Sequence, residues 1–322
     1  MPSKPKFDAL GRRCRTRPTP TGKRIKPQPR DLLWFEKLAE HGPLPSSFLL
    51  VFAKDIHVSE KRAKERLTDL FNEDCTPHKG AYLTRPVQQF RTLDARYNQL
   101  VYDLSPASIA ALKKSGSTIR PARSGPWHHS LMVSCITASI ELACNERDDI
   151  NYIAQSKILA RAEESLRWPT EISDPVSGAT YEKDLLPDAV FGLEYLTPQG
   201  KRYRFYALEA DRANEPLRSA EIHRKSFLRH LLQYEDYIEG DGYQEHLNLT
   251  APMMVLNVTT SEERMRRMLA LTAELFSEGN SYQLFQEDSA FAGPIRPPLP
   301  STIFLNGIWN KIDGRLKLDI PC

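Results

Sequence analysis

The sequence has few cysteines, no long apolar run and no apolar segment at its N-terminus. Its five cysteines are scattered through 322 residues without a CxxC spacing, which argues against a disulfide framework or a structural zinc site and fits a reducing cytosol. No run approaches the apolar length of a membrane helix, and the basic N-terminus lacks the apolar core of a secretory signal. We therefore expect a cytoplasmic protein without a membrane partner.

Several catalytic motifs are also missing. The chain contains no glycine-rich loop of the P-loop or dinucleotide-binding kind, the loops that bind phosphates. It also contains no GxSxG sequence, which would present a nucleophilic serine. Cys135 and Cys144 fall in an apolar helical stretch and are more typical of packing than of nucleophilic residues. His128 and His129 begin that stretch, but no further metal ligands accompany them.

Charge is distributed unevenly. Residues 1–30 contain ten Lys or Arg residues and only Asp8 as an acid, a net charge of +9. The other 292 residues contain 34 basic and 40 acidic residues, a net charge of −6. A basic, proline-rich arm cannot build a core, so residues 1–30 are predicted to be disordered when free and to neutralise DNA phosphates. A solubilising tail or a sorting signal is the alternative. The candidate phosphate contacts in this arm are Arg12, Arg13, Arg15 and Arg17.

Residues 31–116 have the pattern of a winged helix-turn-helix domain. Three short amphipathic helices are predicted, the third capped by Ser59, and a hairpin follows within residues 80–105. A last small helix at 105–116 closes the domain, and such domains place the third helix in a DNA groove. The candidate DNA contacts on that helix are Lys61, Arg62, Lys64 and Arg66. These charges are alternatively the solvated face of an amphipathic helix, and many winged helices bind proteins instead.

A linker at 117–127 separates a second predicted domain, residues 128–322. A long apolar helix, an acidic hairpin at 187–215, and alternating helices and strands afterwards are typical of an α/β fold with a mixed sheet. A helix is expected from Pro216 to Gly240. Another is expected after Thr260, which is predicted to cap it together with Glu263, whereas residues 168–186 are read as irregular. The runs 251–260 and 301–309 are predicted strands.

The acidic hairpin is the most informative part of this domain. Asp188 opens its first strand, and Glu209 and Asp211 close its second. Strand residues two positions apart point to the same face, so Glu209 and Asp211 project together. Acidic side chains are rarely buried without a partner. Their convergence at strand ends predicts either a cation site or a structural charge network.

These blocks together resemble a known family. The segments PDAVFGL at 187–193, ALEADRANEP at 207–216 and MMVLNVTTSEERMRRM at 253–268 resemble the replication-relaxation family of plasmids and integrative elements. RDLLWFEKLAEHG and KRAKERLTDL in the first domain, and the helix with Lys225 and Tyr234, add to the likeness. The resemblance implies a winged helix followed by a domain similar to restriction-endonuclease-like, or PD-(D/E)XK, nucleases.

The resemblance also implies a metal site. Asp188 matches the first acid of the nuclease motif and Glu209 the second, and such acids suit Mg²⁺, with Mn²⁺ as a substitute. Asp211 is implied as a further ligand, but it stands where the motif has a lysine. Lys225 on the next helix is then the candidate relocated lysine, with Asp188, Glu209 and Asp211 as its catalytic partners. Arg212 is a candidate DNA phosphate contact.

Three functions follow as hypotheses. The first is a DNA-binding accessory protein of a plasmid or other mobile element, located in the bacterial cytoplasm with the nucleoid or plasmid. Its partners would be duplex DNA, through the phosphate backbone, and replication or conjugation proteins. The second is an active Mg²⁺-dependent endonuclease with ExD in place of (D/E)xK. The third is a protein-binding adaptor whose acids form a structural network with Arg212, Arg218 and Arg224. A homodimer is common among winged-helix proteins, but no heptad pattern here enforces one.

Overall fold

The computed structural model describes residues 15–74, 80–91, 98–117, 119, 125–175, 177–276, 280–293 and 296–321. Over these residues the chain is a mixed α/β protein with ten α-helices and twelve strands, which confirms the predicted class. Within the same ranges no helix combines the length and apolar character needed to cross a membrane.

The chain divides into two compact units. The first comprises Met1–Ala138 with Ile295–Pro300, and the second comprises Ser139–Pro294 with Ser301–Cys322. The division falls inside the long helix that the sequence predicts, not in the predicted linker at 117–127, because residues 128–138 make their contacts with the first unit. Residues 118 and 120–124 of that linker lie outside the described part of the chain.

The first unit is built from short helices around a small sheet. Its elements are α1 Pro29–His41, β1 Leu44–Pro45, α2 Ser46–Phe52, α3 Glu60–Asn72, β2 Leu83–Thr84, β3 Val101–Leu104 and α4 Pro106–Lys114. The three strands form an antiparallel sheet in the order β1-β3-β2. The predicted hairpin is thus present as β2 and β3. The additional strand β1 has only two residues, which is too short for its sequence pattern to predict a strand. Residues 75–79 and 92–97 are outside the described ranges.

Helix α3 forms as its sequence predicts. The Ser59 hydroxyl accepts a hydrogen bond from the Arg62 backbone N–H at 3.3 Å, which satisfies a free N–H group at the start of the helix. Four apolar residues at helical spacing are buried on one face, namely Ala63, Leu67, Leu70 and Phe71. The opposite face is left to charged side chains, and Lys61, Arg62 and Lys64 of the predicted DNA contacts lie on it.

The described part of the N-terminal arm differs from the predicted disorder. Residues 15–28 have no helix or strand, but Glu73 accepts hydrogen bonds from the backbone of Thr21, Gly22 and Lys23 at 2.9–3.2 Å. Ile25 is only 3% exposed. A buried carboxylate and one apolar anchor therefore order this half of the arm. Residues 1–14 lie outside the described ranges.

The second unit is organised around a seven-stranded mixed sheet in the order β12-β11-β10-β9-β8-β7-β4. Its strands are β4 Ile150–Ile153, β7 Ala189–Thr197, β8 Gly200–Asp211, β9 Met253–Thr259, β10 Gln283–Glu287, β11 Trp309–Lys311 and β12 Gly314–Leu316. β8, β9 and β10 are parallel neighbours, whereas β7 and β8 form an antiparallel hairpin. The central strand β9 is apolar apart from Asn257 and Thr259, as expected of a strand that is covered on both faces.

Helices complete this unit. They are α6 Gln155–Ala162, α7 Phe227–Glu239, α8 Gly242–Leu247, α9 Glu262–Leu275 and α10 Ile303–Asn306, and α5 Trp127–Cys144 ends in it. Helix α7 packs into two apolar clusters, one with β7, β8 and β9 and one with α9 and β10. Because α7 is fixed by both clusters, its side chains reach β8 at defined positions.

Four local predictions in this unit were wrong. Residues read as irregular form a two-stranded antiparallel sheet of β5 Trp168–Ser173 and β6 Thr180–Leu185. Helix α7 begins at Phe227 with Ser226 as its cap, eleven residues after Pro216, because the carbonyls of Pro216 and Leu217 accept hydrogen bonds from Phe227 and Leu228. Of the predicted final strand at 301–309, residues 303–306 form α10 and only Trp309 belongs to a strand, and β10 was not anticipated. The cap of α9 is Ser261, not Thr260.

Candidate functional site

The β7–β8 hairpin brings Asp188 and Glu209 to one edge of the sheet. Ala189 pairs with Leu208 in the register of the two strands. Immediately before that pair, the Asp188 backbone N–H donates to the Leu208 carbonyl at 3.1 Å. The Asp188 side chain then accepts a hydrogen bond from the Ala210 backbone N–H at 2.8 Å. Asp188 is therefore held against the end of β8, beside Glu209.

Glu209 lies in a buried polar pocket under α7. Its carboxylate accepts a hydrogen bond from the Tyr234 hydroxyl at 2.5 Å, and His230 Nδ1 lies 3.5 Å from its other oxygen. Glu209 is 8% exposed and Tyr234 is 1% exposed. Burial, and after it the negative charge of Asp188, raises the pKa of Glu209 well above its ordinary value. A carboxyl group with a raised pKa beside a second acid is typical of functional sites.

His230 and Tyr234 supply hydrogen-bonding groups to this pocket without positive charge. Burial lowers the pKa of His230 to about 4, so its imidazole is neutral at neutral pH. Burial, and after it the charge of Glu209, raises the pKa of Tyr234 well above its ordinary value. The tyrosine therefore stays protonated, and its hydroxyl donates a hydrogen bond to the Glu209 carboxylate.

Lys225 lies just before α7 and pairs with Glu215. Its ammonium contacts a Glu215 carboxylate oxygen. Burial lowers the pKa of Lys225, but the hydrogen bond and charge of Glu215, followed by the charges of Asp188 and Glu209, together raise it above its ordinary value. Lys225 is thus a positive charge that interacts electrostatically with Asp188 and Glu209.

Asp211 has different partners. Arg264 on α9 donates to both of its carboxylate oxygens, at 2.7 and 3.4 Å. The Thr259 hydroxyl adds a bond at 3.2 Å and the Ala213 backbone N–H one at 2.9 Å. Among the described residues, no group of three or more His, Cys, Asp or Glu side chains is arranged to hold a metal ion. The structure therefore pairs Asp188 with Glu209, while Asp211 is an ion-pair partner of Arg264.

The predicted DNA contacts on α3 fall into two groups. Lys61 and Arg62 are exposed. Lys64 is also exposed but contacts Glu60 one turn away. Arg66 donates to both oxygens of the fully buried Asp31, at 2.6–3.2 Å, and to the Lys26 carbonyl at 2.7 Å. Arg66 thus holds α1 to α3, which leaves the exposed basic groups at the start of the helix.

The other predicted contacts are scattered. Arg12 and Arg13 lie outside the described residues. Arg15 donates to the Asn98 carbonyl at 3.1 Å, Arg17 is exposed and Arg212 is half-buried. Two arginines of the proposed acidic network pair elsewhere, Arg218 with Glu274 and Arg224 with Glu221.

Sequence reasoning missed four residues of the site, namely Glu215, His230, Tyr234 as a donor, and Arg264. His230 and Tyr234 are four residues apart, so they share one face of α7, and that spacing beside a buried acid was an available signal. Arg264 had none, because its contact with Asp211 depends on the parallel pairing of β8 with β9.

Fold and site together define an α/β protein in which a buried Glu209 and a partly buried Asp188 lie at the end of a parallel strand. The other unit contains a helix with exposed basic residues at its start. The family model described as replication-relaxation matches residues 35–251, which is 217 of the 322 residues. The chain belongs to this family, as its sequence blocks predict. The family's description points to a role in the replication or relaxation of mobile elements. Neither the curated proteins nor the solved structures yielded a match to this chain.

Proposed function

We propose that this protein binds duplex DNA in the replication, relaxation or mobilisation of a plasmid or other mobile element. The observation that carries this proposal is the exposed basic start of α3, with Lys61, Arg62 and Lys64. The order of helices α1, α2 and α3 and then the β2–β3 hairpin supports the winged-helix prediction on which this proposal depends. Arg17 of the arm is also exposed and is a further candidate phosphate contact.

Such a surface acts by neutralising phosphates. Each phosphate contact releases counterions, so the logarithm of affinity falls with the logarithm of salt by about 0.9 per contact on duplex DNA. Among the residues that the structure describes, Lys61 and Arg62 form no ion pair, so they would lose little when they meet a phosphate. Arg66 would lose its bond to buried Asp31 and is therefore the weakest of the α3 candidates.

The test is DNA binding by the full chain, measured by fluorescence anisotropy of a labelled duplex at several salt concentrations. The double variant Lys61→Ala/Arg62→Ala is expected to bind more weakly, with the salt slope smaller by about 2. The matched control is Lys113→Ala/Lys114→Ala, because both lysines are exposed on α4 of the same unit. Equal slopes for the two double variants would refute α3 as the contact surface.

A second candidate function is metal-dependent DNA cleavage, and the pair of partly buried Asp188 and buried Glu209 favours it. Two carboxylates fit Mg²⁺, which is held in proteins by one or two such groups together with waters and substrate phosphates. When bound, the cation supplies positive charge that stabilises a phosphoryl transition state. Tyr234 would fix the orientation of the Glu209 carboxylate, and Lys225 would meet the phosphate with a positive charge.

Cleavage is tested by nicking of supercoiled DNA with Mg²⁺ or Mn²⁺. Glu209→Gln should abolish nicking yet preserve the salt slope of DNA binding, since the substitution lies in the other unit. Glu263→Gln is the matched control because that acid is exposed at the start of α9. The absence of metal-dependent nicking by the unmodified chain would remove this function and leave DNA binding standing.

The adaptor hypothesis draws support from Asp211, whose ion pair with Arg264 is structural in character. Buried ion pairs of this kind need no chemistry. An adaptor for replication or conjugation proteins, acting as a monomer or homodimer, predicts no duplex binding even at low salt. The anisotropy experiment therefore separates it from the first proposal.

A further inference from the structure

We propose that Arg264 is a positioning residue that sets Lys225 beside the Asp188–Glu209 pair, by holding Asp211 and the carbonyl of Glu215. This inference rests on the proposed function of that pair as a cation site. Asp211, which stands where the nuclease motif has a lysine, would then help to anchor Lys225, the substitute for that lysine.

The anchor begins with the saturation of Asp211. Four donors converge on its two oxygens, from Arg264 twice, from Thr259 and from the Ala213 backbone. Ala213 has a positive φ of 57°, a conformation that costs free energy for a residue with a side chain. The side chain of Asp211 therefore dictates the turn by which the chain leaves β8.

Arg264 extends this anchor to Glu215. Its Nη2 donates to the Glu215 carbonyl at 2.8 Å, and Arg264 is only 9% exposed. The Glu215 side chain then contacts the Lys225 ammonium. Each link is a charge-assisted contact, and a bidentate guanidinium is geometrically more restrictive than an ammonium group.

The base of the segment closes next to these links. The Phe227 N–H donates to the Pro216 carbonyl at 3.1 Å, and the Leu228 N–H donates to the Leu217 carbonyl at 2.8 Å. Glu215 and Lys225 flank this closure, so segment 212–226 is an arch that is pinned at its foot. The flanking position of Lys225 is thus a consequence of backbone hydrogen bonds as well as of its ion pair.

Helix α7 directs the foot of the arch towards the carboxylates. Ser226 caps α7, and His230 and Tyr234 follow at intervals of four residues on the face that contacts Glu209. Lys225 directly precedes that face.

The first test measures Mn²⁺ affinity of the full chain in a double-mutant cycle of Lys225→Met and Arg264→Lys. Lys225→Met should tighten Mn²⁺ binding, because it removes a like charge and frees Glu215. Arg264→Lys keeps the charge but loses the fork, so it should also tighten binding, by about threefold or more. In the Lys225→Met background it should change nothing. Arg266→Lys on the exposed face of α9 is the control.

The second test is hydrogen exchange of the metal-free chain, followed by mass spectrometry. Arg264→Lys should speed exchange in segment 212–226 while α9 itself stays protected, and Arg266→Lys should leave both unchanged. An equal effect of Arg264→Lys on Mn²⁺ affinity with and without Lys225, or unaltered exchange in 212–226, overturns the inference. If the unmodified chain binds no Mn²⁺, the proposed cation site is refuted. The exchange result alone then decides whether Arg264 holds segment 212–226 in place.

Discussion

The hydroxyl of Tyr234 offers the sharpest test of the pocket around Glu209. It donates at 2.5 Å to a carboxylate that is 8% exposed, from a ring that is 1% exposed. A hydrogen bond to a charged group contributes about 1.5–3 kcal/mol. Tyr234→Phe should therefore lower the free energy of local opening in the second unit by about 2 kcal/mol, a roughly thirtyfold change in the opening equilibrium.

The effect should depend on pH with a definite sign. Burial first and Asp188 second raise the folded-state pKa of Glu209. The stability that a raised carboxyl pKa provides is complete below the unfolded-state pKa and is lost as pH rises through the folded-state pKa. Tyr234 favours the ionised form and so limits that loss. Its removal should therefore destabilise the unit more at high pH than at low pH.

The assay is hydrogen exchange of the full chain at about pH 5 and about pH 8.5, with variant and unmodified protein compared at each pH. Peptides from β8 and α7 should open more readily in Tyr234→Phe, and those from α1 in the other unit should not change. Tyr237→Phe is the matched control, because Tyr237 is on the same helix as Tyr234 and its hydroxyl forms a hydrogen bond with His246 Nδ1 at 2.8 Å. A hydrogen bond between neutral groups contributes only about 1 kcal/mol. Unchanged exchange, or a larger effect at acid pH, would refute the assignment.

Three further outcomes are expected. Asp31→Asn should cost about 3–5 kcal/mol and speed exchange in α1, because it leaves a guanidinium without its buried acid. Gly192→Ala should cost about 1–3 kcal/mol in thermal denaturation, since a Cβ there would lie 2.8 Å from the Phe205 ring. Hydrogen bonds outweigh burial and hold the pKa of Glu73 below its usual range. Its stabilisation is therefore present above the unfolded-state pKa and lost on acidification, and exchange in residues 19–23 should rise below about pH 4.

The fold was predictable where side-chain patterns were strong. The acidic hairpin, β9 and the buried face of α3 follow directly from apolar runs and helical spacing. The β5–β6 sheet was hidden because burial alternates along β5 but only Thr170 and Ile172 are buried, and Thr170 is polar. The sequence therefore shows little of the apolar–polar alternation by which a strand is predicted. The start of α7 was misplaced because a proline usually favours a helix start, whereas Pro216 here offers its carbonyl to the foot of the arch.

The site was predictable only in its strand residues. The juxtaposition of Asp188 and Glu209 follows from hairpin register, which the sequence indicates through two β-patterned runs and a turn. The separate role of Asp211 depends on which residue of α9 faces the end of β8, and this is a property of tertiary packing. Because Arg264 is one of three arginines in a short segment, composition alone could not single it out.

The charges around this pocket bear on the proposed cation site. Arg264 offsets Asp211 and Lys225 offsets Glu215. The contacts of Glu209 within the described chain are with a tyrosine hydroxyl and with a histidine whose pKa of about 4 leaves it neutral. A buried carboxylate in such surroundings either takes up a proton or recruits a cation. These two solutions compete, so if the pair binds Mn²⁺, its affinity must fall as pH decreases, whereas a carboxyl group that serves only the fold requires no cation at any pH.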